Sequence, residues 1–189
     1  MSLSQSYYLP FPHPLAKVFT LMNEVETHII DHVDRILKDN YVVAPPVAID
    51  ELAGNYNFEL IQADFKDYAN KIAGFIDADT IYINKIDSKD RQAVNIAILL
   101  GRYILNKDKI TSDGSLNILR RIPLGEMETP IEKESVFFAA HLLIPESLLE
   151  KYKNESAHTL AKIFGVPDDF LGYRLHLEFG HEGAQKKYA

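Results

Sequence analysis

The stretch "RQAVNIAILLGRYIL", residues 91–105, is the feature that most constrains how this chain can fold. Its length and its density of apolar residues predict a buried helix of about 15 residues. Arg102 stands inside this helix, and a buried guanidinium without a partner is costly. A core helix that carries an arginine therefore predicts either a buried charge pair or a side chain that reaches solvent.

Composition excludes several classes of protein. The chain has 189 residues, enough for one domain with a sizeable core, and it has no cysteine, which excludes disulfides, thiolate metal sites and cysteine nucleophiles. It has no apolar run of membrane-spanning length, and its N-terminus lacks the pattern of a signal peptide, so we expect a cytoplasmic protein. The net charge of −7 argues against broad, sequence-independent binding of nucleic acid, which needs a basic face.

The remaining pattern predicts an α+β chain in which a small sheet lies among helices. Apolar residues at helical spacing indicate the helices, and "IAGFIDADTIYIN" indicates a hairpin that turns at Asp77-Ala78-Asp79. The predicted elements are a helix over 14–39, a short helix at 50–55, an extended segment at 58–65, the hairpin at 72–84, and helices at 91–105 and 131–145. Residues 107–117 are predicted to form a polar loop.

The predicted organisation has three parts: an irregular N-terminal arm at 1–13, a main domain at 14–145 and a helical C-terminal lobe at 146–189. In the lobe, "SAHTLAKIFGVPDDFLGYRL" (156–175) has the spacing of a helix-turn-helix, which would favour DNA binding. Residues 146–180, however, carry four basic and six acidic residues, and the second helix would begin with Asp168-Asp169. This charge has the wrong sign for phosphate contacts, so we expect a helical pair used for packing.

Two histidines on the first predicted helix form a candidate metal site. His28 and His32 are four residues apart in "HIIDH", so they share one helical face and could bind zinc together with Asp31. The same residues also belong to a hydrated stripe of charged side chains that includes Glu24 and Arg35. The stripe is the favoured interpretation because such spacing is common by chance, and the metal site is the alternative.

Four segments of the chain carry a resemblance to a known family. "PPVAIDELAGNYNFELIQADF" is similar to its first helix and strand, and "IAGFIDADTIYIN" to its hairpin. "RQAVNIAILLGRYIL" is similar to an active-site helix that is usually close to R-x-x-F-T-x-A-H-E-L-G-H, and "EKESVFFAAHLLIPESLL" to E-x-x-A-N-x-F-A-A-x-L-L-M-P. In this order, they resemble the ImmA/IrrE family of zinc metallopeptidases, found on phages, mobile elements and in stress-response operons. The resemblance covers residues 45–180 and implies a zincin-like fold, with a small sheet and hairpin packed on helices.

The resemblance also implies that the site is degenerate. Aligned on Gly101, the two zinc-binding histidines of the family fall on Ile98 and Arg102. The catalytic glutamate falls on Leu99, whereas the third zinc ligand falls on Glu132 and is retained. Ile and Leu offer no lone pair to a metal, and Arg offers no acceptor. Zinc is a cofactor of active family members but is not expected here, and no catalytic residue is expected at these positions.

The substitutions also predict how the vacated site is filled. We expect the Arg102 guanidinium to pair with Glu132 in place of the zinc bridge, because a buried charge seeks a partner. The alternative is that Arg102 reaches solvent and Glu132 is exposed. Ile98 and Leu99 are expected to fill the cleft as part of the core.

The sequence therefore favours a catalytically inactive, metallopeptidase-like protein that works as a binding or regulatory module. The resemblance implies a protein partner, a helix-turn-helix repressor of the Xre type from a phage or mobile element, and the lack of a membrane-spanning run predicts no membrane partner. A peptide of that partner would add to the hairpin edge around residues 75–84. One alternative is an active zinc-dependent endopeptidase with an unorthodox metal site at His28, Asp31 and His32, with or without Glu132. The other is a DNA-binding regulator that uses the C-terminal helices.

Overall fold

The structure is a computed structural model that describes residues 14–110, 117–124 and 126–188. In chain order its elements are α1 (Pro14–Asp39), α2 (Ile49–Asn55), β1 (Glu59–Ala63), β2 (Ile72–Asp77), β3 (Thr80–Asn84), α3 (Lys89–Ile110), β4 (Ile118–Arg120), α4 (Pro130–Leu143), α5 (Glu146–Leu149), α6 (Ala157–Phe164) and α7 (Asp168–Tyr188). Single 3₁₀ turns occupy Lys66–Tyr68 and Glu150–Tyr152. The predicted α+β class is confirmed, and the predicted arm at residues 1–13 lies outside the described residues.

The strands form one mixed sheet in the order β1-β3-β2-β4. β2 and β3 are the antiparallel hairpin that the sequence predicts, β1 runs parallel to β3, and β4 runs antiparallel to β2. Each hairpin strand therefore has a neighbour on both sides. The prediction of a free hairpin edge at residues 75–84 is wrong, and within the part of the chain that the structure describes the sheet edges are β1 and β4.

Helices α3 and α4 form the centre of the core, and α3 also packs on the hairpin. Gly101 allows the two helices to approach closely, since a Cβ at this position would collide with the Phe138 ring. Gly74 serves the other face of α3, because a Cβ there would lie 2.7 Å from the Tyr82 carbonyl oxygen and 3.0 Å from Leu99 Cδ1. The predicted buried helix thus exists, but it begins at Lys89 and ends at Ile110, beyond the predicted 91–105.

Helix α1 covers α4 with a single apolar stripe. Ile29, Val33, Ile36 and Leu37 recur at helical spacing and are buried, while the opposite face is exposed. The predicted bounds of 14–39 are confirmed. Among the described helices, none combines the length and the apolar continuity needed to cross a bilayer.

The C-terminal helices pack into the same core as the rest of the chain. Leu160 and Phe164 of α6 and Leu171 of α7 are almost fully buried in one cluster with α3 and α4. The α6 N-terminus is capped by the Ser156 side chain, and α6 ends at Gly165, whose φ of 64° is the left-handed conformation that glycine accommodates best. The helical lobe that the sequence predicts at 146–189 is therefore joined to the main body by a shared core.

Candidate functional site: an arginine-lined cavity beside α3

A cavity of ≈ 370 Å³ lies where α3, the edge strand β4 and the first half of α4 meet. Its floor includes Ile98 and Arg102 from α3, and its far wall includes Glu132 and Val136 from α4. The segment after β4 forms the third side, and Asp169 at the start of α7 reaches its margin. A concave site of this size can bury a small molecule or a side chain.

Three of the four predicted degenerate-site residues line this cavity, and the fourth does not. Ile98, Arg102 and Glu132 converge on it from two helices, as the resemblance implies. Leu99 is fully buried and contacts the sheet at Gly74 instead. Ile98 and Leu99 are each at least 95% buried, so both belong to the core as expected. Only Ile98 faces the cavity.

Arg102 is held inside the protein and does not reach solvent. The residue is 4% exposed, and its Nη1 donates a hydrogen bond to the backbone oxygen of Ile118 in β4 at 2.9 Å. Burial lowers the pKa of Arg102, the Glu132 charge opposes this, and the charge of Arg120 adds to it. The predicted alternative in which Arg102 extends to solvent is therefore wrong.

Glu132 does not form the predicted ion pair with Arg102. Its Oε2 accepts hydrogen bonds from the backbone amides of Thr129 at 3.1 Å and Glu128 at 3.3 Å, and the Thr129 hydroxyl accepts from the Glu132 amide. This capping box fixes the carboxylate at the N-terminus of α4. Partial burial alone would raise the pKa of Glu132, but the hydrogen bonds from Thr129 and Glu128 and the Arg102 charge lower it.

The sequence contained a signal for this role of Glu132. "TPIE" (129–132) has the S/T-x-x-E pattern of a capping box, with proline at the first helical position. The resemblance drew attention to Glu132 as a former metal ligand, whereas the local pattern predicts a helix cap. The structure shows the cap, and the charge of Arg102 acts on Glu132 across the shared cavity.

The residues in the cavity do not fit a zinc ion. A zincin needs two neutral imidazoles on one helical face, and the side chains that α3 directs here are an alkyl group and a permanent cation. The one carboxylate on the far wall is engaged in capping. Elsewhere in the described residues, no group of three His, Asp or Glu side chains converges so that it could hold a metal ion.

The alternative metal candidates on α1 lie outside this cavity. His28 and Asp31 are exposed, His32 is half-buried, and the His28 and His32 ring centroids are 6.3 Å apart. Burial, the Arg35 charge and His28 lower the pKa of His32. His32 lines a separate depression with Arg35. The structure therefore does not bring Glu132 together with these residues.

A polar network that sequence reasoning missed supports the cavity wall. Arg121 Nη1 lies 2.8 Å from Asp87 Oδ1, and its Nε donates to the Ala69 oxygen at 2.8 Å. Asn95 Nδ2 donates to the other Asp87 oxygen at 3.0 Å. The network joins α3, the end of the hairpin and the segment after β4. No periodicity predicts these long-range pairs, so only the fold could show them.

At the cavity margin, Arg91 joins α3 to α7. Arg91 Nη2 lies 2.5 and 2.6 Å from the two carboxylate oxygens of Asp169, which occupies the first turn of α7. Asp168 and Asp169 are both exposed there. Carboxylates at the start of the would-be recognition helix weigh against the DNA-binding alternative.

Comparison with known proteins decides the family. The sequence model of the peptidase family described as the IrrE N-terminal-like domain matches residues 53–176, which include every residue that lines the cavity. The chain belongs to this family. The predicted resemblance to ImmA/IrrE proteins is thereby confirmed, and in this IrrE N-terminal-like protein α1 precedes the matched region.

Solved structures confirm the fold of this IrrE N-terminal-like protein. A Mycobacterium tuberculosis transcriptional regulator superposes with a TM-score of 0.55 at 14% sequence identity, covering 82% of this chain. The match covers 51% of the regulator, so this chain spans about half of its length. No curated protein matches the sequence significantly.

Proposed function

We propose that this chain is a catalytically inactive member of the IrrE N-terminal-like family that acts by binding a partner protein. The observation that carries the proposal is the cavity, where α3 presents Ile98 and Arg102 in the places that the motif resemblance gives to the zinc-binding histidines. Membership of this family supports a peptidase-like regulatory module as the general class of this protein. The specific step from active to inactive rests on these two side chains.

The chemistry of the cavity supports binding over hydrolysis. Peptide hydrolysis by a zincin needs a metal that activates water and a carboxylate that takes its proton. Arg102 cannot serve as a base because it cannot lose its proton in a protein. Glu132 has its Oε2 engaged by two backbone amides, and the position that the resemblance aligns with the catalytic glutamate is the fully buried Leu99.

A helix-turn-helix repressor of the Xre type is the partner that we propose. The resemblance implies that active relatives act on such repressors, and an inactive copy that keeps the binding surface would hold the repressor without cutting it. β4 supports this because it is an edge strand beside the cavity, so an extended segment of the repressor could pair with its backbone. This places strand addition at residues 118–120, not at the hairpin.

Zinc content tests the inactive assignment. The protein is expressed with added zinc, purified without a tag and measured by elemental analysis beside the double variant Ile98→His/Arg102→His. We expect less than about a tenth of an equivalent in the wild type and close to one in the variant, since two histidines and Glu132 make a three-ligand site. One equivalent in the wild type would overturn the proposal.

The partner is tested by co-expression with Xre-type repressors. We expect a repressor to co-purify uncut with the wild type, and a proline in the edge strand, Leu119→Pro, to abolish this because proline cannot donate to a ladder. Circular dichroism of the variant controls for unfolding, and Ile61→Pro in the opposite edge strand is the matched control. A repressor cleaved by the purified wild type would contradict the inactive assignment.

A further inference from the structure

The cavity concentrates one kind of cation. The chain has six arginines among its 20 basic residues, and four of the six line this cavity: Arg91, Arg102, Arg120 and Arg121. None of the lysines whose side chains the structure describes lines it. Glu132 and Asp169 are the carboxylates among the lining residues that the structure describes. A positive cavity on a chain of net charge −7 is a local feature that the overall charge does not predict.

Structural ion pairs hold two of these arginines, and an exposed third, Arg120, has none among the described residues. Arg91 is held by Asp169, and Arg121 is held by Asp87. Arg120 is exposed and has no carboxylate within 4.0 Å among the described residues. Arg102 adds a buried positive charge at the floor, while the nearby carboxylate of Glu132 is directed to the N-terminus of α4.

The residue type indicates what the cavity recognises. A guanidinium presents a planar set of donors that matches the oxygens of a carboxylate or a phosphate, which an ammonium group does not. Most of the other lining residues are apolar and include Val94, Ile98, Leu119 and Val136. A cavity lined by both charged and alkyl groups suits a molecule that has an anionic head and an apolar body.

We infer that this cavity is a binding site for a small organic anion, a carboxylate or phosphate group attached to an apolar body of a size that fits ≈ 370 Å³. Arg120 at the rim and Arg102 at the floor supply the charge, and the alkyl side chains contact the body of the ligand. The proposal requires neither a protein partner nor the absence of zinc, so it stands or falls separately from the proposed function.

Isothermal titration calorimetry of the purified full chain tests the site with phenyl phosphate, inorganic phosphate and benzyl alcohol. We expect saturable binding of one equivalent of phenyl phosphate, weaker binding of inorganic phosphate, which lacks the apolar body, and none of benzyl alcohol, which lacks the charge. Phenylacetate, tested in the same way, shows whether a carboxylate replaces the phosphate.

Matched arginine variants locate the binding. Arg120→Ala, at an exposed residue whose loss leaves the core intact, is expected to weaken phenyl phosphate binding by about tenfold or more, the effect of one charged hydrogen bond. Arg35→Ala, at an exposed arginine on α1, is expected to leave it unchanged. Arg102→Met, checked for folding by circular dichroism, is expected to abolish it. Failure of every anion to bind, or equal affinity of the wild type and Arg120→Ala, would overturn the proposal.

Discussion

Two arginines are buried in this protein, and their surroundings differ. Arg174 on α7 is fully buried, lies 2.8 Å from the Glu178 carboxylate one turn later, and donates to the Ile144 oxygen at 3.1 Å. Arg102 on α3 is as deeply buried, but the carboxylate that shares its cavity, Glu132, caps another helix. A buried arginine that pairs with a carboxylate on its own helix has a structural role, whereas a buried arginine that lines a cavity is a candidate binding residue.

Removing the carboxylate partner of Arg174 is expected to have the largest effect. Glu178→Gln leaves a fully buried cation without its counter-charge, and we expect the free energy of unfolding to fall by about 3 kcal/mol. Urea denaturation measures the loss. Glu155→Gln, at an exposed glutamate, is the control and should leave the free energy of unfolding unchanged. A loss below about 1 kcal/mol would show that Arg174 is not held as a structural pair.

Acid should weaken the same region through His141, which contacts Phe137 and lies near Arg174. Burial and the Arg174 charge lower the pKa of His141 to about 4. Because this lies below the unfolded value of 6.5, the unfolded chain gains the proton first as the pH falls. The stabilisation that neutral His141 provides is therefore complete above pH 6.5. As the pH falls to 4, the free energy of unfolding decreases by up to about 3 kcal/mol.

Variants at His141 separate its contribution from that of the carboxylates. We expect His141→Gln to flatten the stability profile between pH 6.5 and 4 relative to the wild type, measured by urea denaturation at each pH. His158→Gln, at an exposed histidine, should keep the wild-type slope. Identical profiles for the wild type and His141→Gln would remove this explanation.

On the cavity side, loss of Glu132 should act as loss of a helix cap. Glu132→Ala exposes two amides at the start of α4, and we expect a loss of about 1 kcal/mol in the free energy of unfolding. Thr129→Ala removes the other half of the capping box and should give a loss of the same size. A loss as large as that of Glu178→Gln would indicate that Glu132 holds Arg102 directly, and the contrast between the two arginines would disappear.

The smallest effect is expected from Arg102→Met. The substitution removes the hydrogen bond to the Ile118 oxygen, which lowers stability, and a desolvated charge, which raises it, so we expect a change within about 1 kcal/mol in either direction. Arg174→Met is the matched comparison, and it should lower stability because Glu178 then loses its partner. If Arg102→Met destabilises the protein as much as Arg174→Met, then Arg102 has a structural role and the site assignment weakens.

Local pattern predicted the elements well where the period was strong. The apolar stripe of α1 predicted where that helix begins and ends. The turn at Asp77-Ala78-Asp79 predicted where β2 ends and β3 begins. The end of α3 was predicted five residues early, because a polar stretch after Leu105 continues the helix through the non-helical backbone of Asn106. β4 was missed since its three residues follow the predicted loop at 107–117 in a stretch to which no element was assigned, and it becomes a strand only by pairing with β2.

The site was predicted in part. The resemblance located Ile98, Arg102 and Glu132, and these do converge on one cavity. Arg120 and Arg121 were not anticipated, because they reach the cavity through the unpredicted strand β4. The direct pair between Arg102 and Glu132 was wrong because the capping box at Thr129 competes for the same carboxylate over a shorter sequence distance.

The hydrogen bond from Arg102 to Ile118 has a mechanical consequence. One guanidinium belongs both to the floor of the cavity and to the anchor of the edge strand β4. A ligand that moves Arg102 further into the cavity would therefore lengthen or break its hydrogen bond to the strand, and the two events are linked by one free energy. Binding in the cavity and the position of the edge strand β4 are therefore coupled through Arg102.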